Sequence, residues 1–448
     1  MARNVLLLTV DSLRAIPNLT EEDRDLLTVI DRLERDGGVS LSRAYATGPT
    51  TRSSFPAILT GTYALSSDDY PYMGEKRPSL ATSLSKQGIE TAGFTSNPFL
   101  SRTFNYNIGF DEYRDYQNII ERKAAKLFPD GIENPRGVLR TLDDIVPLTA
   151  GLKRGYRLVS GESRPYRPAA ELVDDTLDFV DRCESRFFCW THLMDVHQPC
   201  FPPESYRSRH GAGKVTLDEV SDIYSRFAAN SAAVTPEDIS LLDSLYRAAL
   251  DYVNDQINRL LDELQEQGVL HETAVILTSD HGELYGEYDE YGKPPRLYDE
   301  LVHVPLVVSD PPPALAEAPE QLFSLVDLPF VVHALTGTEP DSQYEGHPLT
   351  ELPRQTVLSE EFRHDGVAVS VRSDSVRYEI DGIRGRTDAY SINADSTPAE
   401  TVRPVAEIPG SLKQRAEGHL DSVAADTDDI NVSNDIRDRL EHLGYLNE

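Results

Sequence analysis

The sequence predicts an α/β protein with a mostly parallel central sheet and a small α+β subdomain near its C-terminal end. Up to about residue 340, short apolar strands alternate with amphipathic helical segments, which is the pattern of a doubly wound sheet. The strand at residues 274–277 is apolar throughout and the strand at residues 5–10 is apolar except for Thr9, as is typical of strands buried on both faces. Beyond residue 340, segments such as residues 367–372 alternate between apolar and polar side chains, which indicates antiparallel strands.

The composition is strongly acidic. The 448 residues include 43 Lys and Arg against 75 Asp and Glu, a formal net charge of -32. Such a field argues against nucleic acid or an anionic membrane as a partner. The acidic residues are spread along the chain and Lys is rare beside Arg, a composition that resembles proteins of salt-loving (halophilic) archaea, in which salt screens the self-repulsion. An ordinary acidic enzyme is the alternative.

Cysteine usage and hydropathy predict a cytoplasmic location. Cys183, Cys189 and Cys200 form no CxxC pair and no even set of disulfides, so we expect buried thiols in a reducing compartment. The N-terminal apolar run is too short for a signal peptide, and no stretch reaches the roughly 18 apolar residues of a membrane span. The sequence does not predict the oligomeric state.

The N-terminal part of the chain begins with the strand at residues 5–10, which ends in Asp11. A capping box at residues 20–23 opens a helix with one apolar face, and a strand is predicted at residues 39–46. The following loop is rich in small hydroxyl residues and enters a helix near Thr51. A hydroxyl or phosphate at that point would meet free backbone N–H groups and the positive end of the helix dipole.

The remaining chain continues the alternation, except at residues 115–165. This segment follows no pattern and is interpreted as an insertion, a lid or a substrate-selecting surface. We divide the chain into a catalytic domain at residues 1–340 and a C-terminal subdomain at residues 341–448. The other main predicted elements are strands at residues 90–95, 186–194, 274–277 and 301–308, and helices at residues 169–183, 245–264 and 324–335.

Side chains that can do chemistry follow several of these elements. Asp11, His197 and the pair Asp280 and His281 each follow a buried strand, and Thr51 lies at a helix start. Because the carboxyl ends of parallel strands meet at one edge of a sheet, we expect these side chains on one rim. Two carboxylates and an imidazole can bind one divalent cation and leave a position for a hydroxyl nucleophile. The pattern predicts metal-dependent chemistry on an anionic ester.

Five segments in order along the chain carry a resemblance to a known family. They are Asn-Val-Leu-Leu-Leu-Thr-Val-Asp at residues 4–11, the element at residues 51–61, His-Leu-Met-Asp-Val-His at residues 192–197, Thr-Ser-Asp-His-Gly-Glu at residues 278–283, and Tyr-Asp-Glu-Leu-Val-His-Val-Pro-Leu at residues 298–306. From about residue 3 to residue 340 the chain resembles the sulfatase family of the alkaline phosphatase superfamily. The resemblance implies an alkaline phosphatase-like sandwich, one divalent cation (Ca²⁺, Mg²⁺ or Mn²⁺), and a small-molecule, glycan-linked or lipid-linked anionic ester as substrate.

The resemblance also implies roles for individual residues. Asp11, Asp280 and His281 match the metal ligands of the family. Thr51 falls where sulfatases place the Cys or Ser that becomes formylglycine. A threonine is a secondary alcohol and could not give that aldehyde hydrate. In phosphodiesterase and phosphotransferase relatives, an unmodified Thr at this position is both the nucleophile and a metal ligand.

Other matched positions concern the substrate. His197 and Lys293 match positions that hold the ester oxygens or protonate the leaving group, and His303 precedes Val-Pro as in several phosphotransferase-type relatives. We therefore expect His197 or His303 to protonate the leaving oxygen and Lys293 to stabilise the anion. Arg52 and Asn97 are the candidates for substrate binding. The departures from the family pattern are Ser12 in place of a second Asp ligand, Phe55 in place of an Arg, and Asn97 and Phe99 within a stretch that carries sulfate-binding cations in the family.

The sequence thus predicts a metal-dependent hydrolase or transferase of phosphate or sulfate esters, with Thr51 as the nucleophile and phosphoester chemistry preferred. A true arylsulfatase and a non-catalytic metal-binding protein are the alternatives. Simpler roles also stay open: Thr51 as a helix N-cap, His197 in a buried polar pair, and Lys293 and His303 outside the site. His192, within an apolar strand, is interpreted as structural.

Overall fold

The computed structural model describes residues 3–116 and 166–427, apart from short gaps at residues 68–69, 75, 230–232, 295, 364–365, 383–384, 393–402 and 405–407. The insertion predicted at residues 115–165 therefore lies outside the described residues, except for its first two positions.

The strands of the described chain are short and most are buried. They are β1 (Asn4–Val10), β2 (Val39–Ser40), β3 (Ala44–Tyr45), β4 (Glu90–Thr95), β5 (Glu112–Arg114), β6 (Phe187–Leu193), β7 (Thr273–Thr278), β8 (Leu284–Tyr285), β9 (Tyr291–Gly292), β10 (His303–Val304), β11 (Leu306–Val308), β12 (Phe323–Ser324), β13 (Val357–Arg363), β14 (Gly366–Arg372), β15 (Val376–Asp381), β16 (Arg386–Ser391) and β17 (Arg403–Pro404).

The α-helices range from single turns to one long helix. They are α1 (Glu21–Asp25), α2 (Thr28–Arg35), α3 (Thr51–Thr60), α4 (Leu80–Ser85), α5 (Ala169–Arg182), α6 (Glu204–Arg209), α7 (Leu217–Ala229), α8 (Pro236–Glu266), α9 (Asp299–Val302), α10 (Pro313–Ala316), α11 (Leu328–Thr336) and α12 (Gly410–Thr427).

A seven-stranded sheet forms the centre of the fold, in the order β2-β11-β7-β1-β6-β4-β5. The strands from β7 to β5 run parallel to one another. At the other edge, β11 runs antiparallel to β7, and β2 antiparallel to β11. The prediction of a mostly parallel central sheet is confirmed.

Both faces of this sheet are covered, as the uninterrupted apolar strands predict. Leu6, Leu8 and Val10 of β1 face a core that includes the apolar sides of α5 and α8. Val5 and Leu7 point the other way, into a core with α3 and α11. All five side chains are completely buried. Because successive side chains of a strand alternate between its faces, this single strand belongs to both cores of an α/β sandwich.

The helix α8 begins at a capping box, about ten residues before the first apolar position of the helix predicted at residues 245–264. The Thr235 side chain accepts a hydrogen bond from the backbone N of Asp238, and the Asp238 side chain accepts one from the backbone N of Thr235. Pro236 occupies the first turn. The helix is 31 residues long, more than the roughly 20 residues that a membrane span needs, but its exposed face is charged. Among the helices that the structure describes, none is long and apolar enough to cross a membrane.

The C-terminal subdomain is built on a five-stranded antiparallel sheet in the order β13-β14-β15-β16-β17. Helix α12 packs on it through Leu412 and Ala416, which meet Val369, Val371 and Tyr378. The strands predicted from apolar alternation at residues 367–372 are confirmed by β14. The division of the chain at residue 340 remains a prediction.

The segment predicted as one strand at residues 301–308 is different in the structure. It consists of the end of α9, the strand β10 and the strand β11. Pro305 separates the two strands, and a proline has no N–H to donate to a ladder. β10 pairs with β3 in a separate three-stranded sheet, whereas β11 joins the central sheet. The strand predicted at residues 39–46 is likewise divided into β2 and β3.

Candidate active site

Two carboxylates lie side by side at the edge of the central sheet, because β1 and β7 are adjacent and parallel. Asp11 follows β1 and Asp280 follows shortly after β7, and both are completely buried. Ser279 joins the two turns: its Oγ accepts a hydrogen bond from the backbone N of Leu13 at 3.0 Å and lies 2.6 Å from the carbonyl oxygen of Val10. The relative position of the two carboxylates is therefore fixed by hydrogen bonds between the turns.

Thr51 is the first residue of α3, but it does not cap the helix. The cap is Thr50, whose side chain accepts a hydrogen bond from the backbone N of Ser53 in a capping box. The interpretation of Thr51 as an N-cap is therefore wrong. Its hydroxyl oxygen instead lies 3.4 Å from Asp11 Oδ2 and 3.4 Å from His281 Nε2. The positive end of the helix dipole would stabilise negative charge at this oxygen.

His281 has a defined tautomer. Its Nδ1 lies 2.8 Å from the carbonyl oxygen of Gly282, and a carbonyl oxygen only accepts, so Nδ1 carries the proton and Nε2 the lone pair. Nε2 lies 3.4 Å from Asp280 Oδ2 and 3.7 Å from Asp11 Oδ1. Three buried acceptor atoms thus face one another, which is unfavourable unless a proton or a cation lies between them.

These atoms fit a divalent cation. Asp280 Oδ2 is buried and has no hydrogen-bond donor within the described part of the chain. Two carboxylates, one imidazole nitrogen and one hydroxyl are suitable ligands for Mn²⁺ or Mg²⁺, and the oxygens also suit Ca²⁺. Asp11, Thr51, Asp280 and His281 are thus the residues that would hold the ion. Oδ2 of Asp280, which lacks a donor, is the observation that supports this fit.

The pKa values of the two carboxyls are shifted in opposite directions. Burial would raise the pKa of Asp11, but nearby His197 and the hydrogen bond from His192 outweigh burial and hold this pKa well below its usual range. Burial and the charge of Asp11 raise the pKa of Asp280 to about 7. A cation would favour the ionised form of both groups. At neutral pH, binding would therefore be coupled to proton release.

Two further side chains contact Asp11. Asn97 Nδ2 donates to Asp11 Oδ2 at 2.9 Å and lies 3.4 Å from Thr51 Oγ1, so the predicted substrate-binding residue lies beside the predicted nucleophile. His192 Nε2 lies 3.1 Å from the same Asp11 oxygen, a contact that sequence reasoning missed. One signal was present: a histidine inside an apolar strand is a buried polar group that requires a partner.

His197 and Lys293 lie beside this cluster. Burial, reinforced by the charge of Lys293, lowers the pKa of His197 to about 4, and Nδ1 of His197 is hydrogen-bonded to the carbonyl oxygen of Gln198. Lys293 Nζ donates to Ser12 Oγ at 3.4 Å, and Ser12 Oγ in turn donates to Asp11 Oδ1 at 2.9 Å. The serine that replaces the family's second acidic ligand therefore connects the lysine to Asp11.

Arg52 lies among aromatic rings next to Thr51. Its guanidinium carbon is 5.4 Å from the ring centre of Tyr70 and 5.7 Å from that of Phe99, distances at which a cation is attracted to a ring face. Phe362 packs edge-on against Tyr70 and is 42% exposed. This edge of the site thus combines a half-buried cation with aromatic rings, of which Phe362 is exposed.

His303 contacts Tyr45 and Ser42. Because Pro305 directs β10 to β3, His303 pairs with Tyr45, stacks on its ring at 4.9 Å, and has Nε2 2.8 Å from the carbonyl oxygen of Ser42. Burial lowers its pKa to about 4. These contacts do not bring His303 together with the Asp11 cluster, so the structure gives no support for its predicted role as a proton donor.

Replacement of Gly282 by alanine is expected to disturb the turn that carries Asp280 and His281. A Cβ at this position would lie 2.0 Å from the backbone oxygen of Glu300, and backbone cannot yield as a flexible side chain can. We expect a loss of roughly 1–3 kcal/mol in the free energy of unfolding together with weaker metal binding, measured by urea unfolding and by Mn²⁺ titration. Gly418→Ala is the matched control, since its Cβ would meet nothing within 4 Å; equal effects would contradict the steric argument.

Comparison with known proteins identifies a family model and several relatives that the chain matches. A family model described as Sulfatase matches residues 3–338. Arylsulfatase K of Xenopus laevis is 28% identical over 172 residues, which cover 38% of this chain and 31% of that protein. The uncharacterized sulfatase YidJ of Escherichia coli is 39% identical over 154 residues, which cover 32% of this chain and 31% of that protein. Each match thus spans less than a third of the relative's length.

Among solved structures, the phosphonate monoester hydrolase of Agrobacterium radiobacter has a similar fold. Its TM-score is 0.66 at 17% sequence identity, and the superposition covers 95% of this chain and 96% of that one. The similarity of fold therefore extends beyond the segments that the sequence matches cover.

Proposed function

The chain belongs to the sulfatase family of the alkaline phosphatase superfamily, and we propose that it is a metal-dependent hydrolase or transferase of phosphate esters with Thr51 as its nucleophile. The observation that carries the proposal is the position of the Thr51 hydroxyl, 3.4 Å from Asp11 Oδ2 and from His281 Nε2. A threonine cannot be converted to the formylglycine hydrate on which sulfatases rely. The nucleophile of this chain is therefore an ordinary alcohol.

The site can activate this alcohol. A cation held by Asp11, Thr51, Asp280 and His281 would lower the pKa of the hydroxyl and neutralise the charge of the ester. The Asn97 amide orients the hydroxyl, and ionised Asp11, whose Oδ2 lies 3.4 Å from Thr51 Oγ1, can accept its proton. The N-terminus of α3 stabilises the resulting oxyanion.

The proposed reaction has two steps. Thr51 Oγ bonds to phosphorus as the bond from phosphorus to the leaving oxygen breaks, and His197 or Lys293 gives a proton to that oxygen. Water or a second alcohol then gives its proton to the same His197 or Lys293 side chain and attacks phosphorus. The bond from phosphorus to Thr51 Oγ breaks, and Asp11 returns the proton to that oxygen. Because the pKa of free His197 is about 4, its imidazole carries a proton at neutral pH only when an anionic ester lies next to it and offsets the charge of Lys293.

Phosphate is preferred over sulfate for two reasons. The stretch that carries sulfate-binding cations in sulfatases has Asn97 and Phe99 in this chain, and Asn97 is occupied with Asp11. In addition, a fold neighbour is a phosphonate monoester hydrolase, which acts on phosphorus. Arg52 and Lys293 remain as cations that can contact the ester oxygens.

A panel of aryl esters tests the proposal. The purified protein is assayed in high salt with Mn²⁺, Mg²⁺ or Ca²⁺ against a phosphate monoester, a phosphodiester, a phosphonate monoester and a sulfate ester of the same phenol. We expect one of the phosphorus esters to have the highest kcat/KM, and chelation to abolish its turnover. The common leaving group ensures that differences arise at the transferred group.

Two outcomes would contradict the proposal. A dominant sulfate ester activity with Thr51 unmodified by mass spectrometry would favour the arylsulfatase alternative. Metal binding without turnover of any ester, and without a vanadate adduct at Thr51, would favour a binding protein.

A further inference from the structure

We propose that His192 is a positioning residue that orients the Asp11 carboxylate through a fixed Nε2–H tautomer and does not bind the cation. This inference rests on the proposed function only in assuming that a cation binds at Asp11. It distinguishes His192 from His281, because both imidazoles have Nε2 within 4 Å of Asp11.

Proximity alone would assign His192 to the metal. Asp11, His192 and Asp280 each offer a ligand atom, and these atoms lie within 4.8 Å of one another. All three residues are completely buried. The hydrogen bonds on the far side of the imidazole ring decide whether its Nε2 has a lone pair to give.

A chain of hydrogen bonds fixes that tautomer. Trp190 Nε1 can only donate, and it donates to Thr9 Oγ1 at 2.9 Å. The hydroxyl proton of Thr9 is then available for His192 Nδ1, also at 2.9 Å. With Nδ1 accepting, neutral His192 carries its proton on Nε2 and donates it to Asp11 Oδ2 at 3.1 Å. Every donor in the chain then has an acceptor.

The opposite tautomer would leave two buried groups unsatisfied. With a proton on Nδ1, the Thr9 hydroxyl proton would face an N–H group, and Nε2 would present a lone pair to the ionised Asp11 carboxylate. Each buried unsatisfied group costs about 1–3 kcal/mol. His281 has the reverse arrangement, because Gly282 accepts from its Nδ1. One histidine therefore presents a proton to Asp11, and the other presents a lone pair to the cation position.

This assignment accounts for the orientation of Asp11. Its Oδ2 accepts from His192 and from Asn97 Nδ2 at 2.9 Å, whereas Oδ1 is the oxygen nearest to His281 Nε2. The ring of His192 is itself held by Phe55, which packs edge-on at 4.9 Å. The phenylalanine at the family's arginine position thus has a structural role here: it supports the imidazole that orients a metal ligand.

The tautomer can be measured directly. In protein labelled with ¹⁵N-histidine, the ring signals of His192 are assigned by their loss in His192→Gln, and the protein is titrated with diamagnetic Mg²⁺ or Ca²⁺. We expect an Nε2–H signal without the cation that persists after it binds, while the His281 Nε2 signal shifts. Loss of the His192 Nε2 proton on titration would overturn the proposal.

Variants give a second readout, the dissociation constant for Mn²⁺. In His192→Gln the new side-chain amide can still donate toward Asp11, so we expect this variant to stay within about threefold of the native affinity. His192→Leu has no donor and should weaken the affinity about 10- to 100-fold, as loss of an outer partner does. If His192→Gln bound Mn²⁺ as weakly as His192→Leu, His192 would be identified as a ligand and the proposal would be overturned.

The pair Thr9→Val and Thr9→Ser tests the tautomer without a substitution at position 192, so this test does not depend on whether the His192 variants fold. The valine lacks the hydroxyl, so Nδ1 loses its hydrogen-bond donor while Asp11 still accepts from Nε2–H; we expect the ¹⁵N signal of His192 Nδ1 to shift in Thr9→Val and to stay in place in Thr9→Ser. An unchanged Nδ1 signal in Thr9→Val would contradict the hydrogen-bond chain. Neither the NMR titration nor the Mn²⁺ affinity depends on turnover, so failure of the proposed reaction would be distinguishable from failure of this inference.

Discussion

Thr51→Ala is expected to lower kcat/KM for the preferred aryl phosphoester by about 10³-fold or more, because it removes the atom that forms the covalent bond. The side chain is almost completely buried at the first position of α3, and loss of its hydroxyl and one methyl group leaves the capping box of Thr50 in place. The fold is therefore expected to persist, as measured by circular dichroism and thermal unfolding. Thr51→Ser keeps a hydroxyl and should retain much of the activity.

Thr50→Ala is the matched control for Thr51→Ala. It removes the helix cap, which costs about 1 kcal/mol of stability, but it leaves the Thr51 hydroxyl in place. We expect lower stability with activity largely retained, the reverse of the pattern for Thr51→Ala. Acid quenching of a reaction with native protein should also trap phosphate on the peptide that contains Thr51. Turnover by Thr51→Ala at a near-native rate would exclude this residue as the nucleophile.

The roles of Thr50 and Thr51 could not be told apart from the sequence pattern. Both are threonines at a helix start, and either could cap it. In the structure the cap is Thr50, and the Ser53 side chain accepts a hydrogen bond from the backbone N of Thr50. Thr51 also has a serine three residues later, Ser54, so the sequence pattern alone does not choose between the two. That geometry frees the next hydroxyl for Asp11 and His281. The loop and the helix were predictable from local sequence, whereas the identity of the free hydroxyl depends on the turn geometry.

The residues at strand ends were predictable for a general reason. Uninterrupted apolar runs identify parallel strands buried on both faces, and their carboxyl ends meet at one edge. This rule is enough to place Asp11 and Asp280 on the same edge of the sheet. It does not specify which strands are neighbours. The contact between His192 and Asp11 joins residues 181 positions apart, and it depends on β6 lying next to β1 with Thr9 opposite His192.

The strand predicted at residues 301–308 shows the converse error. Apolar residues on both sides of Pro305 look like one continuous strand. The proline divides this segment: the first part pairs with β3 and the second part with β7. A single residue without an N–H group thus separates one predicted strand into two strands of different sheets. Local hydropathy cannot distinguish these arrangements because both bury the same side chains.

Asp280→Asn is expected to weaken Mn²⁺ binding by about 100-fold or more, which exceeds the 10- to 100-fold loss typical when a residue that only supports a ligand is replaced. The same substitution is expected to stabilise the metal-free protein near neutral pH. The first effect follows because a neutral amide replaces a buried carboxylate whose Oδ2 has no hydrogen-bond donor among the described residues. The second follows because burial and the charge of Asp11 raise the pKa of Asp280 to about 7 in the folded state. Ionised Asp280 is therefore unfavourable in the fold without a cation.

The sign of the pH dependence can be worked out from this pKa. Between about pH 4 and pH 7 the folded metal-free protein holds a proton on Asp280 that the unfolded chain has lost, so the free energy of unfolding decreases as pH rises through this range. Asparagine does not titrate, so the stability gain of Asp280→Asn should be absent below about pH 4 and should grow up to about pH 7. Urea unfolding of chelator-treated proteins measures both curves. Asp262→Asn, at an exposed carboxylate, is the control, and a constant difference between the Asp280→Asn and native curves would show that Asp280 is already ionised in the metal-free fold.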